Sequence, residues 1–263
     1  FCLALLAASL SALKADEGPK SSPPLWVLSD QDSTLYLFGG FHVLPANTDW
    51  QSEAMRDALA NTSITVLETD LSSPEALAEL NKIIMANAFN PPGTTLSSIL
   101  GDERAKAFFA AAEQVGVPSL YLENQRPWFA LMNVAQLAMI RSGLNPVYGV
   151  EAALLKQGKQ QGDSFRHLES AERQIQALIS LEDEAMLENL DASMDEVVDF
   201  SGQFQAGLEA WLSGDLAALD KALLHDMRAE SELAFESIFL QRNREWVPKV
   251  LALLGEDQDM FIA

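Results

Sequence analysis

Two short runs rich in β-branched and aromatic residues, Leu25-Trp26-Val27-Leu28 and Thr34-Leu35-Tyr36-Leu37-Phe38, flank a polar cluster from Ser29 to Ser33. That pattern predicts a β-hairpin. The second run is nearly all apolar, as a strand buried on both faces would be, and Gly39-Gly40 end it. Ile64-Thr65-Val66-Leu67 has the same character, closes on Glu68-Thr69-Asp70, and predicts a third core strand. Phe165 to Glu169 predicts another, and Asp259 to Ala263 begins a further apolar run. Elsewhere the apolar spacing is helical. Helices are expected over Asp49–Ala60 with Thr48 as N-cap, Pro74–Ala86, 102–115 up to Gly116, 127–142 opening on Pro127, and 150–158 ending at Gly158. Long helical stretches are expected over 171–192, 195–212, 216–229 and 231–254. No internal repeat is visible. The reading is a mixed α/β (α+β) fold, one domain over 25–263, in which a central, mostly buried sheet carries a large helical portion.

The N-terminal segment adds a location. FCLALLAASLSALKA is apolar but too short to span a bilayer. It matches the apolar core of a secretory signal, closed by Ala15. Residues 1–15 therefore read as a partial signal peptide, and 16–24, charged and then Ser-Ser-Pro-Pro, as a linker. A buried N-terminal helix is the other reading. Cys2 is the only cysteine, so the mature chain is expected to hold no disulfide and no thiolate metal site. A bacterial periplasmic or secreted protein is expected, with no membrane span in the mature chain.

Charge narrows the partners. Asp and Glu number 38 against 17 Lys and Arg, which disfavours nucleic acid and anionic membranes. The sequence has no HExxH, no GxSxG, no phosphate loop and no GxGxxG, so serine-nucleophile and nucleotide-binding readings have no motif to stand on.

Five positions remain as candidates for chemistry. His42 follows the buried strand through Gly39-Gly40-Phe41, where α/β sheets commonly place ligand groups. An imidazole there can bind a metal or move a proton near neutral pH; alternatively it fills a turn. Glu68 closes the third strand and would lie at the same sheet edge as His42 if the two strands are parallel neighbours; alternatively Glu68 and Asp70 open a solvated loop. Glu169 ends the Phe165–Glu169 run, where alternation puts His167 and Glu169 on one face, as a second ligand pair or as a solvent face. His225, beside Asp226, reads as a surface residue. Arg242 can clamp a carboxylate or pair with nearby acids such as Glu230, Glu236 and Glu245.

These segments together resemble the TraB/GumN family, which is related to the Tiki metalloproteases. The resemblance runs through Leu25–Asp30, Leu35–Pro45 with its G-x-x-H at Gly39–His42, Val66–Asp70, Tyr148–Glu151, Leu168–Gln174 and Gln241–Trp246. It implies an EreA/Tiki-like architecture with two G-x-x-H motifs facing one site. His42 matches the first; the second is expected after the final strand, beyond Ala263, where the chain is expected to continue. Position 167 departs from the pattern, with His167 where the family has a small residue, and Glu151 stands where Asp is common. The resemblance implies that His42, Glu68 and the second histidine hold a divalent metal ion, with zinc, manganese or cobalt all chemically suitable. Glu151 or Glu169 would take a proton from water, and Arg242 would orient substrate. The expected activity is a peptidase-like hydrolase acting on a peptide or small-molecule substrate. The alternatives are a non-catalytic periplasmic protein that binds a peptide or polysaccharide intermediate, and a helical scaffold with a vestigial sheet.

Overall fold

The computed structural model describes residues 21–179, 200–225, 228 and 232–263. The signal segment 1–15, most of the linker and the stretch joining the helices expected over 171–192 and 195–212 lie outside the described residues. Seven strands form: β1 (Leu25–Ser29), β2 (Thr34–Phe38), β3 (Leu44–Pro45), β4 (Ile64–Leu67), β5 (Leu144–Asn145), β6 (Ser164–His167) and β7 (Met260–Ile262). Five of them make one mixed sheet in the order β1-β2-β7-β4-β6, and β3 pairs with β5 in a separate two-stranded ribbon. β1 and β2 are the expected antiparallel hairpin. β2, β7, β4 and β6 all run parallel.

The near-continuous apolar runs follow from burial on both faces of this sheet. Along β2, Leu35 and Leu37 enter one core while Tyr36 and Phe38 meet the other. β7 alternates likewise: Met260 and Ile262 go to the first, Phe261 to the second. The first core is closed by Trp246 and Val250 of the C-terminal helix, and the second by Met55, Leu154, Leu208 and Trp211. β6, at the sheet edge, is instead polar and half exposed, which blunts further strand addition. The fold is therefore a mixed α+β sheet with helices on both faces, as expected.

Helix α1 spans Glu53–Asn61 and α2 spans Pro74–Asn87. The cap of α1 is Ser52, whose hydroxyl accepts from Met55 N, while the Thr48 hydroxyl donates to Pro45 O at 2.9 Å. The expected cap at Thr48 thus lies one short loop too early. Next come α3 (Leu96–Leu100), α4 (Asp102–Gln114), α5 (Ser119–Leu122) and α6 (Pro127–Arg141). They enclose a core of their own around Leu96, Phe108, Leu122 and Val134. This helical insert leaves the sheet after β4 and returns at β5, beside β3. α7 runs over Val150–Gln161 and passes through Gly158; it stops at Gly162, where φ is 83°. Gly158 serves packing instead: a Cβ there would lie 2.8 Å from the Phe165 ring.

α8 covers Ala171–Ile179, α9 Phe200–Ser213 and α10 Leu216–Leu223. α9 passes through Gly202. α11 (Glu232–Phe235) leads through a π-helical turn, Glu236–Leu240, into α12 (Gln241–Leu254). Among the described residues no helix is long and apolar enough to cross a membrane.

Trp211 ties α9 to the end of β2. It is 1% exposed, it packs against Phe38, Phe41 and Trp50, and its Nε1 donates to Gly39 O at 2.7 Å. Trp211→Phe keeps most of the packing but strands that carbonyl. It should cost about 1–3 kcal/mol in urea unfolding; a loss below a few tenths would mean that the bond carries nothing.

Candidate active site at the carboxyl edge of the sheet

Because β2, β7, β4 and β6 are parallel, their carboxyl ends share one edge. His42 follows β2, Glu68 follows β4, Glu169 follows β6 by one residue, and Ala263 ends β7 between β2 and β4. β2 and β4 are parallel but not the neighbours that the sequence argument for Glu68 supposed, because β7 lies between them. The strand register carries on past β6, with Leu168 N donating to Leu67 O and Glu169 N to Glu68 O at 2.9 and 2.8 Å. The two carboxylates are thereby brought side by side.

Glu68 and Glu169 meet over Arg242. Its Nη2 donates to Glu68 Oε2 at 2.7 Å and to Glu169 Oε1 at 2.6 Å, and its Nε to Glu169 Oε2 at 3.1 Å. Nη1 donates to Ile238 O, inside the π-helical turn, at 3.2 Å. The guanidinium lies over the Trp246 ring, 4.7 Å from its centroid. All three ionic residues are buried. Two carboxylates share the one guanidinium in this cluster. Next to it, Thr69 Oγ1, Asn243 Oδ1 and Trp246 Nε1 are buried without a hydrogen-bond partner among the described residues. Arg242 thus meets Glu68 and Glu169, while Glu236 pairs with Arg244 and Glu245 with Arg173. The expectation that His167 and Glu169 share a face is not met: the strand ends at His167, which is exposed, while Glu169 is buried. His225 is exposed.

His42 belongs to a second group. Its Nδ1 lies 2.6 Å from Glu151 Oε1, with the imidazole side chain 60% exposed and Glu151 largely covered. Glu151 sits in the first turn of α7, where the helix dipole favours an anion. Two glycines bring these distant segments together. Gly149 packs so closely on the His42 carbonyl that a Cβ would lie 2.1 Å from the oxygen. A Cβ on Gly40 would meet Val150 at 2.9 Å. Between them, Val150 N donates to Phe41 O at 2.9 Å. Gly149 lacks a side chain because another backbone passes there, and Gly40 because the Val150 side chain does.

The hydrogen bond that His42 donates to Glu151, together with the Glu151 charge, raises the His42 pKa above the ordinary value, against partial desolvation by the protein atoms around a ring that stays 60% exposed. For Glu151, burial pushes upward, but the His42 hydrogen bond and charge outweigh it and hold the carboxyl below its usual range. The sign of each linkage follows. The His42 contribution to stability is complete below the ordinary histidine pKa of about 6.5 and is lost as pH rises through the raised value. The Glu151 contribution is complete above about 4.5 and is lost as pH falls through the lowered value. In a proton NMR titration, His42 should titrate above about 6.5, and Glu151→Gln should bring it down. A midpoint unchanged by that substitution would show that the pair does not form in solution.

A carboxylate that accepts from Nδ1 fixes the imidazole so that Nε2 faces away from it, the arrangement by which proteins orient a metal-binding histidine. His42 therefore fits one position of a metal shell. Among the described residues there is no group of three or more His, Cys, Asp or Glu side chains that could hold an ion. His42 and Glu68, joined in the sequence reading as metal ligands, fall into separate groups here, each with its own partner. The His42–Glu151 pairing has no local sequence signal beyond Tyr148-Gly149-Val150-Glu151 itself.

No curated protein and no solved structure matches the chain. The model of the TraB/PrgY/gumN family matches residues 24–263, which include every strand of the sheet and both groups of ionisable residues at its carboxyl edge, and the chain belongs to that family.

Proposed function

We propose that this chain is an exported, metal-dependent hydrolase of peptide-type bonds, with His42 as a metal ligand. The observation that carries the reading is the His42–Glu151 pair: a buried carboxylate holds Nδ1 of an imidazole that is otherwise in solvent. In this reading Glu151 is a positioning residue that sets the ring orientation and tautomer. A bound divalent ion would supply a water acidified to near neutrality and would polarise the scissile carbonyl. Glu68, Glu169 and Arg242 form a fixed polar floor at the same edge. Family resemblance puts a second histidine motif after the last strand. Because β7 lies between β2 and β4, residues following Ala263 would leave the sheet between His42 and Glu68.

Equilibrium dialysis of the full-length protein against zinc, manganese and cobalt tests the reading. It should take up about one ion per chain, and His42→Ala should abolish uptake together with cleavage of an unstructured protein substrate. Full-length protein that binds no ion, or a variant that keeps both properties, would overturn it.

The alternative, a non-catalytic exported binding protein for a peptide or polysaccharide intermediate, has one observation in its favour. Glu68, Glu169 and Arg242 bind one another, which suits a structural role. Ligand binding that survives both chelation and His42→Ala, with no product formed, would favour it.

A further inference from the structure

Arg242 does not treat its two carboxylates alike. It takes both oxygens of Glu169, through Nη2 to Oε1 at 2.6 Å and Nε to Oε2 at 3.1 Å, but only Oε2 of Glu68, at 2.7 Å. The Glu169 side chain is 1% exposed and that of Glu68 11%. The surroundings repeat the difference. α12, which carries Arg242, is pinned to the corner where β6 runs into α8. Lys249 Nζ donates to Leu168 O there, and Arg173 of α8 donates to both oxygens of Glu245 at 2.8 and 3.0 Å. Together with the two-bond Arg242–Glu169 fork, these contacts fix the guanidinium relative to β6. Glu68 comes from another strand, β4, and reaches the fixed guanidinium from the far side. Sheet order adds a direction. The strands run β2-β7-β4-β6 and neighbours lie about 4.8 Å apart, so Glu68 leaves the sheet about 10 Å from β2 and Glu169 about 14 Å. The Glu68 charge is also among those felt at His42.

We propose that Glu169 and Arg242 are positioning residues and that Glu68 is the carboxylate that carries the proton in hydrolysis: Glu169 locks the guanidinium, and the guanidinium holds Glu68 on the side of His42. This inference rests on the hydrolase reading above. Glu169 is removed as proton acceptor, because both its oxygens are engaged and water does not reach it. Arg242 is removed as a substrate clamp, because it serves Glu68, Glu169 and Ile238 O and lies against the Trp246 ring. Glu68, already paired with a cation, stays outside the metal shell. Its chemistry is a proton cycle. Glu68 takes a proton from water as the water oxygen bonds to the scissile carbonyl carbon. It returns that proton to the amine nitrogen as the C–N bond breaks.

The test uses the full-length protein, an unstructured protein substrate, and the variants Glu68→Gln, Glu169→Gln and E68Q/E169Q. Three quantities are followed: steady-state cleavage, uptake of zinc, manganese and cobalt in dialysis, and exchange of the Arg242 Nε proton by NMR. Glu68→Gln should lower kcat by about 100-fold or more, with KM and ion uptake unchanged. Glu169→Gln should lower kcat by up to about 100-fold by letting Glu68 move, and its Arg242 Nε proton should exchange fast where the wild-type proton exchanges slowly. E68Q/E169Q should be no slower than Glu68→Gln alone, since Glu169 acts only through Glu68. A merely structural Glu169 would slow the double variant further, and that result would overturn the inference. So would Glu68→Gln that keeps kcat within tenfold, Glu68→Gln that loses the ion, or a fast Nε proton in the wild type. These last three stand whether or not Glu169→Gln folds. A wild type that cleaves nothing overturns the hydrolase reading and the proton role of Glu68 with it; a wild type that cleaves no faster than Glu68→Gln overturns this inference alone.

Discussion

Arg242→Met should be the most damaging single substitution at the carboxyl edge, lowering stability by about 3–5 kcal/mol in urea unfolding. The reason is the charge count. Arg242 is 7% exposed and faces two buried carboxylates. Methionine fills much of the volume but leaves Glu68 and Glu169 side by side with no cation, so that one must take up a proton or the site must open. The converse substitution is the control. Glu68→Gln removes one negative charge and leaves the bidentate Glu169–Arg242 pair in place. Its cost should stay below about 1.5 kcal/mol, the scale of one altered hydrogen bond. Equal losses from the two variants would mean that packing against Trp246, and not charge, decides the stability of this cluster.

Gly149→Ala should be the second largest, and its signature should be functional as well as energetic. A Cβ at position 149 would lie 2.1 Å from the backbone oxygen of His42. No side chain can rotate out of that contact, so α7 and the loop after β2 must separate. The expected cost is about 1–3 kcal/mol, as for other overpacked sites. The movement would also pull Glu151 from His42 Nδ1, and the His42 titration midpoint should fall as it does in Glu151→Gln. Gly40→Ala meets Val150 Cβ and Cγ1 at 2.9 Å, a less severe overlap than 2.1 Å on a carbonyl oxygen, and should cost less. If Gly149→Ala lowers stability but leaves the His42 titration unchanged, the pair is held by something other than this close approach.

What was legible in the sequence divides along a physical line. The hairpin, β4 and β7 could be read because burial on both faces demands unbroken apolar runs, and such runs are local. The helix ends were read less well. Gly158 resembled a stop signal, yet it is a packing glycine under the Phe165 ring, and nothing local distinguishes the two uses. The same limit governs the candidate site. His42, Glu68, Glu151, Glu169 and Arg242 could each be picked out as polar groups at the ends of apolar segments. How they divide into partners could not. That division depends on parallel register between β4 and β6, which aligns Glu68 with Glu169, and on two backbones that cross at Gly149. Both are long-range geometry. The TraB/GumN resemblance gathered the right segments but did not show that Glu151 meets the imidazole while Arg242 occupies Glu68.

The position of β7 has a consequence for how the protein is made. Thr34 and Asp259, 225 residues apart, are joined by a hydrogen bond at the start of the β2–β7 pairing. β7 sits between β2 and β4, so the sheet has no centre until residue 262 has left the ribosome. Until then β2 and β4 present apolar edges with unpaired backbone groups, which are templates for mispairing. Closing such a distant contact is entropically costly and slow. The nascent chain therefore cannot close this sheet before β7 has emerged. An open chain is also one that a translocation channel can still accept.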